Sequence, residues 1–311
     1  MKLVFCGTPA FAVPALKAVL SAGHTVELVV SQPDRPSGRG MQTIPTPVKQ
    51  AAIEAGLRVV QPTKIKNNPE FQSQLEAIRP NAIIVVAYGR IIPRWMLDLP
   101  PLGNINVHAS LLPKYRGAAP IQWAVANGEP VTGVTTMRID EGLDTGDMLL
   151  QREMAIAPDQ TAADLFPLLS AMGSALLIET LDGLAAGTIQ PRKQDESQAT
   201  HAPILMRDDG RVDFHRTAWQ IYNRWRGFYP WPGAHTELNG KKITFHRVAV
   251  TEHFERAATS GSLVIEGSHL FAACGDNTWL EILELQLEGR RRMMTSEFLR
   301  GSTLKTGDRL G

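Results

Sequence analysis

The chain has little of what marks secreted, membrane-spanning or broadly basic proteins. Its two cysteines, Cys6 and Cys274, are too few for a disulfide framework and suit a reducing compartment. Its formal net charge of +1 gives no bulk indication of a nucleic-acid partner, although a local basic patch is still possible. None of its apolar runs reaches the roughly 20 residues that a membrane span needs. We therefore expect a cytoplasmic protein without a membrane partner.

What is present is the composition of an ordinary globular chain. Hydrophobic residues make up 43% and charged residues 20%, which excludes disorder and collagen-like repeats. At about 150 residues per domain, a chain of 311 residues predicts two domains. We place them at 1–189 and 208–311, joined by a polar linker over 190–207 that shows no apolar period.

The first domain alternates apolar strands with helices. Strands are expected at 2–6, 25–31, 58–60, 81–87, 103–107 and 131–139, and helices at 10–22, 48–55, 69–78 and 161–186. This alternation predicts a doubly wound, mostly parallel α/β sheet of Rossmann-like type with helices on both faces. Ligands bind beyond the carboxyl ends of the strands in such sheets. The Gly7-Thr8-Pro9 turn lacks the dinucleotide-binding glycine pattern, so it is interpreted as a plain turn.

The second domain has a different pattern of elements. One helix is expected at 217–225, and short strands at 234–238, 242–250, 262–265, 269–273 and 280–287. Short strands separated by turn signals predict a small β-barrel or sandwich, of which we expect a small OB-like β-barrel. We expect Trp219 and Trp231 to belong to its core.

The strand at 103–107 leads into the most specific group of polar residues in the chain. Asn106 and His108 are two residues apart, so they share one face of a strand, while Ile105 and Val107 face the other way. Pro113 then prevents further strand pairing. A lone histidine here would favour a structural role, but a neighbouring amide donor and a glycine-rich turn favour a functional one.

An acidic loop, 140–147, follows the next strand. Most clusters of Asp and Gly are solvated turns. A functional interpretation requires one of the carboxylates to reach His108, and the sequence does not show whether any does.

Three segments together resemble the signature of the 10-formyltetrahydrofolate-dependent formyltransferases. They are Asn106 to Pro113, Tyr115 to Gln122 and Gly142 to Asp147. Four more segments are similar to the members of this family that act on tRNA. They are Phe5 to Pro9, Gln32 to Gly40, Gln198 to Thr200 and Pro230 to Ala234.

The resemblance implies that a formyl group moves from 10-formyltetrahydrofolate to the α-amino group of methionine on initiator tRNA. It implies that Asn106, His108 and Asp144 form the catalytic site. The folate would contact the following segment, which comprises Ser110, Leu111, Leu112 and Pro113. Donors around the formyl oxygen stabilise the transition state, and His108 would donate to that oxygen or carry the amine proton. Asp144 would orient the imidazole.

The loop 33–47 is long for a connection between a strand and a helix, where 2–6 residues are usual. In the tRNA-acting members, the matching loop inserts at the acceptor end of the tRNA. We therefore expect Arg39 to contact a phosphate or base, with Arg35 and Lys49 as further tRNA contacts.

Basic and aromatic residues also lie close together in the second domain, a combination that suits RNA binding. They are Arg224, Trp225, Arg226, Tyr229, Trp231, Lys241, Lys242 and Arg247. Of these, Lys241, Lys242 and Arg247 are our expected tRNA contacts. The run of three arginines at 290–292 is either another basic patch or a solvated turn. Ile204 stands where the family usually has a lysine, which argues against a tRNA contact made by the linker.

Two other functions stay open. The first is formyl transfer to a small amine on the same scaffold, which would need neither the loop 33–47 nor a second domain. The second is a non-catalytic folate- or RNA-binding module, against which the presence of Asn106, His108 and Asp144 argues. We find no metal-ligand pattern, and we expect the chain to act as a monomer.

Overall fold

The computed structural model describes residues 1–37, 42–251 and 257–311. The chain divides into two compact units. The first comprises Met1–Pro120, Val131–Ala155 and Leu165–Pro203, and the second comprises Ile121–Pro130, Ile156–Asp164 and Ile204–Gly311. The second unit therefore includes two segments from the first half of the chain, an interleaving that nothing in the composition indicates.

A seven-stranded sheet forms the centre of the first unit. Its strands are β1 (Lys2–Gly7), β2 (Thr25–Val30), β5 (Val59–Val60), β6 (Ala82–Val86), β7 (Asn104–His108), β9 (Val131–Arg138) and β10 (Met148–Ala155). They lie in the order β10-β9-β7-β6-β1-β2-β5. The predicted mostly parallel sheet is confirmed, because β1, β2, β5, β6 and β7 pair in parallel. β9 and β10 extend it with antiparallel pairs.

The edge strand β10 was missing from the sequence-based prediction. Its apolar residues stand together at its beginning, and most of the rest of it is only half-buried or exposed. An edge strand that is covered on one side needs no continuous apolar run. The central strand β1, by contrast, has 0% exposure at Leu3, Val4, Phe5 and Cys6, which is why its sequence is easy to recognise.

Four shorter strands of the first unit, which form two pairs, were not predicted from the sequence. β3 (Arg35–Ser37) and β4 (Gln42–Ile44) pair antiparallel within the loop 33–47. β8 (Arg116–Gly117) pairs in parallel with β11 (His201–Ala202). The second pair lies next to the site described below, and β11 falls within the segment that the sequence suggested as a linker.

The helices of the first half begin at recognisable signals. They are α1 (Val13–Ser21), α2 (Pro47–Glu54), α3 (Pro69–Ile78), α4 (Arg94–Leu97), α5 (Pro120–Ala126) and α6 (Ala162–Ala186). Thr46 and Asn68 cap α2 and α3 by accepting the backbone N–H of Lys49 and Phe71. Each cap is followed by a proline in the first helical turn, where its missing N–H costs nothing.

The helix α6 is long and apolar enough, by length and composition, to cross a membrane, and 44% of its most apolar window is buried within the protein. A core helix passes the same test, and its contacts are those of a core helix. Leu169 and Leu177 have 0% exposure. Ser170 donates to the carbonyl of Phe11 at 2.7 Å, and Thr180 shares a 2.7 Å hydrogen bond with Thr136 of β9. Its polar groups are thus bonded inside the first unit.

The second unit contains an antiparallel sheet, which confirms the prediction of a small β domain after the α/β one. Its strands are β12 (Ala234–Leu238), β13 (Lys241–Thr251), β14 (Leu263–Glu266), β15 (His269–Ala273), β16 (Trp279–Leu287) and β17 (Met293–Met294). The order is β12-β13-β16-β15-β14, and β17 pairs with β16. Helices α7 (Ala218–Gly227) and α8 (Thr295–Arg300) complete it. Its core includes Ile221, Phe245 and Leu280.

Two tryptophans that we expected in the core of the second unit lie outside it. Trp219 is 54% and Trp231 is 56% exposed, so this prediction is wrong. The buried face of α7 is occupied by Ala218 and Ile221, three residues apart, which turns Trp219 to the outer face. Trp231 stands between Pro230 and Pro232 in the turn before β12.

Arg224 and Arg226, which lie near these tryptophans in the sequence, have their side chains engaged within the second unit. Arg226 is 5% exposed and donates to the carbonyls of Ala157 and Gln160 at 3.1 Å. The Arg224 guanidinium lies 4.8 Å from the centre of the Phe228 ring, at the distance of a cation–π contact. Arg226, one of the basic residues whose combination suits RNA binding, is therefore bonded within the second unit.

Candidate active site

The strand β7 presents Asn106 and His108 on one face. Its intervening residue, Val107, packs toward α6, since its Cγ1 would lie 2.7 Å from a Cβ atom placed on Gly173. Strand alternation then directs Asn106 and His108 to the opposite face. Asn106 is half-buried, whereas His108 is only 6% exposed.

Two acceptors flank the His108 imidazole. Its Nε2 lies 2.9 Å from the carbonyl oxygen of Tyr115, and because a carbonyl only accepts, Nε2 must carry the proton of this bond. Its Nδ1 lies 3.6 Å from Asp144 Oδ2, which is the distance of a charge contact rather than a hydrogen bond. Among the carboxylates of the loop 140–147, Asp144 is thus brought to His108.

Asp144 is held by backbone groups on both sides. Its Oδ2 accepts the N–H of Gly117 at 2.8 Å, and its carbonyl accepts from the side chain of Gln194 at 2.7 Å. Its own φ is +54°, in the left-handed region that non-glycine residues rarely occupy. Gly117 has φ +121°, and a Cβ there would lie 2.6 Å from the carbonyl of Ala202. Only glycine therefore fits at 117, between Asp144 and β11.

Gln194 and Arg116 form a buried polar pair behind this loop. Arg116 is 3% exposed, and its Nε and Nη2 donate to Gln194 Oε1 at 3.0 and 2.8 Å. It also donates to both carboxylate oxygens of Glu196 at 2.8 Å. This hydrogen bonding raises the pKa of Arg116 and lowers the pKa of Glu196. Sequence reasoning missed Gln194, because the polar stretch around it has no period.

The segment expected to contact folate has most of its polar groups engaged within the protein. Ser110 donates to the carbonyl of Lys114 at 2.6 Å. Leu112 donates its N–H to Thr135 and accepts at its carbonyl from Gln151. The side chains of the alternating residues, Leu111 and Pro113, are half-buried and leave surface for a ligand.

The expected tRNA contacts of the first domain fall into three different situations. Arg39 lies outside the described residues. Arg35 is exposed and donates to Gln32 at 3.3 Å. Lys49 forms an ion pair with Asp34 at 2.5 Å, and the pKa of Asp34 is lowered by hydrogen bonds from Lys49 and then Gln61. The ammonium group of Lys49 is thus already paired within the protein.

The expected tRNA contacts of the second domain all lie on β13. Lys241 and Arg247 are exposed and Lys242 is half-buried. The run of arginines at 290–292 is partly neutralised, because Arg291 pairs with Glu297 and Arg292 with Glu284. The strand β13 therefore carries the more available positive charge of the two candidates.

Metal and thiol chemistry find no support in the parts of the chain that the structure describes. Within residues 1–37, 42–251 and 257–311, no group of three or more His, Cys, Asp or Glu side chains is arranged to hold a metal ion. Cys6 and Cys274 are free and buried. Burial raises the pKa of both thiols, that of Cys274 to about 12, so neither is a ready nucleophile.

Comparison with known protein families identifies the family to which the chain belongs. The formyl transferase family matches residues 1–181, and the formyl transferase C-terminal domain matches residues 204–303. The chain belongs to the formyl transferase family.

Its curated relatives specify the branch of the family. A methionyl-tRNA formyltransferase of Acidobacterium capsulatum is 70% identical over 311 residues, which is the whole of both chains. A protein of the same name from Koribacter versatilis is 59% identical over 312 residues, covering 100% of this chain and 99% of the relative. The formyltransferase resemblance of the sequence is thereby confirmed.

Solved structures of more distant proteins share the fold. An N-formyltransferase from Helicobacter canadensis, in complex with folinic acid and dTDP-3-aminofucose, superposes with a TM-score of 0.67 at 19% identity. It covers 91% of this chain and 98% of that one. HypX from Aquifex aeolicus, in complex with tetrahydrofolic acid, has a TM-score of 0.61 at 16% identity. There the coverage is 98% of this chain and 48% of that one.

Proposed function

We propose that the chain transfers the formyl group of 10-formyltetrahydrofolate to the α-amino group of methionine on initiator tRNA, and so supplies formylmethionyl-tRNA for translation initiation. Full-length relatives at 70% and 59% identity bear the name of this activity. The structural observation that carries the proposal is the 3.6 Å contact between His108 and Asp144. His108 ends β7 and stands two residues after Asn106 on the same strand. A donor, a base and a carboxylate are thereby assembled at one strand end.

The reaction forms a bond between the amine nitrogen and the formyl carbon, and it breaks the bond between that carbon and N10 of the folate. The amine loses a proton and N10 gains one. Asn106 donates an uncharged N–H to the formyl oxygen while negative charge grows there. Preorganised donors of this kind typically contribute on the order of 10²–10³ in rate.

His108 handles the proton that leaves the amine. The Tyr115 carbonyl fixes the ring through Nε2, and the opposite edge of the ring faces Asp144. A positive charge on the imidazole is stabilised by the Asp144 carboxylate, directly or through a bridging water. The three residues thus divide the work among oxygen stabilisation, proton transfer and charge compensation.

The binding surfaces of this proposal are those that the family resemblance implies. Ser110 to Pro113 form the folate contact, with Leu111 and Pro113 supplying apolar surface. The tRNA contacts are Arg35, Arg39, Lys49, Lys241, Lys242 and Arg247. In this scheme residues 1–189 carry out catalysis, residues 208–311 bind tRNA, and the enzyme acts as a cytoplasmic monomer.

Incubation of the protein with 10-formyltetrahydrofolate and charged initiator tRNA tests the proposal. We expect formylmethionine on initiator tRNA and far less on elongator methionyl-tRNA. His108→Ala should lower the rate by about 10²–10⁴ because general acid–base catalysis is lost, while circular dichroism shows a preserved fold. Formylation of small amines in place of tRNA would instead support a small-molecule transferase. An unchanged rate in His108→Ala would refute the catalytic assignment.

A further inference from the structure

The Gln194 side chain uses every hydrogen-bonding position of its amide. Nε2 donates to the carbonyls of Asp144 at 2.7 Å and Gly146 at 2.8 Å. Oε1 accepts two N–H groups of Arg116. An amide has two donor hydrogens and two acceptor lone pairs, so its bonding is complete. We propose that Gln194 is a positioning residue for formyl transfer, which holds Asp144 against His108; the inference rests on the proposed function above.

The orientation of this amide is fixed by its neighbours. If its oxygen and nitrogen exchanged places, the oxygen would face two carbonyl oxygens and the NH2 group would face a guanidinium, which has no acceptor. The side chain is 9% exposed, so water cannot readily replace the lost bonds. Gln194 therefore has one stable arrangement, and that arrangement specifies where the carbonyls of Asp144 and Gly146 lie.

Gln194 joins the two segments that hold the Asp144 carboxylate. One segment is the loop 144–146, which it contacts directly. The other is β8, where Arg116 binds Gln194 and the next residue, Gly117, donates its N–H to Asp144 Oδ2 at 2.8 Å. The same amide is thus bonded to the backbone of the Asp144 loop and to the Arg116 side chain, whose neighbour Gly117 holds the carboxylate.

The loop needs such an anchor. Asp144 has φ +54°, a conformation that persists for non-glycine residues only when the surroundings impose it. Gly146 lies so close to β9 that a Cβ there would be 2.0 Å from the Arg138 carbonyl, so only glycine fits at this position. Two hydrogen bonds from Gln194 to this short stretch oppose its return to ordinary backbone geometry, which would move Asp144 away from His108.

The charge distribution suits a positioning role. Arg116 carries the positive charge of the network, and the exposed Glu196 compensates it at 2.8 Å. The group that touches the Asp144 loop is the neutral amide of Gln194. Gln194 therefore restrains the backbone of Asp144 without adding a charged group next to the Asp144 carboxylate and His108.

The test compares Gln194→Leu with wild-type enzyme in single-turnover and steady-state formylation of initiator tRNA. We expect kcat to fall by about 10- to 100-fold, the effect of a misplaced catalytic group. The KM values for folate and tRNA should change by less than about threefold, because the Gln194 amide is buried and all of its hydrogen bonds are made within the protein. Gln198→Leu is the matched control, since that glutamine is four residues away, exposed and bonded to Asp195. It should retain the wild-type rate.

A double-mutant cycle separates positioning from stability. If Gln194 acts through Asp144, then Gln194→Leu should have little further effect in an Asp144→Asn background, because the two changes remove one function. An equal fold-loss in both backgrounds, or a wild-type kcat in Gln194→Leu, would overturn the inference. If Gln194→Leu does not fold, the nearly isosteric Gln194→Glu serves instead, because it keeps the acceptor toward Arg116 and loses both donors toward the loop. Absence of formylation by the wild-type enzyme would refute the proposed function itself, which is a different outcome.

Discussion

Asn106 and His108 occupy the same face of β7 but are held in different ways. His108 is buried and fixed by the Tyr115 carbonyl, so its ring has a defined plane before any substrate arrives. Asn106 is only half-buried, so part of this residue is open to solvent. Asn104, two residues earlier, is buried and donates to the carbonyls of Met96 and Leu97. Two asparagines of one strand therefore differ in their surroundings, and we assign Asn106 to the proposed chemistry and Asn104 to structure.

Substitution of these two asparagines should produce opposite phenotypes. Asn106→Ala should lower kcat by about 10²–10³ through loss of the donor to the formyl oxygen, with little change in thermal stability. Asn104→Ala should instead lower the free energy of unfolding by about 1–3 kcal/mol, because two buried carbonyls lose their donor. The folded fraction of that variant should still be active. Formylation kinetics and urea titration of both variants measure the two effects, and equal activity losses would contradict the division of roles.

The sequence predicted Asn106 and His108 because strand alternation is a strict period of two. The spacing of residues left Asp144 undecided among the acidic residues of its loop, and only the family resemblance singled it out. The contact with His108 depends on a left-handed backbone at Asp144, which no sequence pattern indicates. Gln194 was missed for a related reason. Its importance comes from partners far away in the sequence, and its own neighbourhood is simply polar.

The loop before α2 shows how an exposed element can be fixed at its base. Asp34 stands just before β3 and accepts from the Gln61 side chain at 2.6 Å and from Lys49 at 2.5 Å. The Thr46 hydroxyl at the other end of the hairpin shares a 2.7 Å hydrogen bond with Ser31. Both ends of the segment are therefore tied to neighbouring elements by hydrogen bonds.

The Asp34 ion pair should give this element a pH-dependent stability. The pKa of Asp34 is lowered in the folded chain, first by its hydrogen bond from Lys49. Its ionised form therefore stabilises the fold above the unfolded pKa of about 3.9, and this contribution is lost as pH falls through the folded value. Asp34→Asn should be less stable than wild type by about 0.5–1 kcal/mol at pH 7.

Urea titrations of wild type and Asp34→Asn at several pH values check this expectation. The difference between the two proteins should begin to shrink below about pH 4 and should vanish as pH falls through the lower pKa of the carboxyl in the folded chain. A difference that stays constant down to pH 3 would show that the ion pair is not its source. The exposed Arg94–Asp98 pair of α4 offers a comparison, because Asp98→Asn should change stability little at any pH.

The parallel strands and most of the helices were predictable, whereas the hairpin and the strand pair β8–β11 were not. Buried parallel strands are continuous apolar runs, as at 82–86, and helix starts carry capping residues and prolines. The short pairs involve two or three residues each, which is below the length at which a hydrophobic pattern can be recognised.

The division into two units does not follow the order of the chain. Segments 121–130 and 156–164 belong to the second unit together with 204–311. Within that unit the Trp123 ring packs edge-on against Phe228 at 5.2 Å, and the 156–164 segment supplies both carbonyls that receive Arg226. The contiguous segment 204–311 alone therefore lacks part of the second unit's own packing.

An isolated fragment 204–311 should consequently be unstable relative to the second unit of the whole chain. Loss of the Trp123 contact and of two acceptors for a buried guanidinium should cost at least about 2 kcal/mol. For about 100 residues that lowers the melting temperature by about 8–16 °C. Near-ultraviolet circular dichroism and thermal melts of the fragment and the full chain measure this. A fragment that melts as cooperatively and as high as the full protein would show that the two segments are dispensable.

The interleaving also sets an order for synthesis on the ribosome. Trp123 leaves the ribosome roughly 100 residues before Phe228 does, an interval of about 5–20 s at ordinary elongation rates. During that time the first sheet can already form from β1 to β10, while segments 121–130 and 156–164 await the rest of their unit. The second unit can therefore complete its folding only after the last third of the chain has been made.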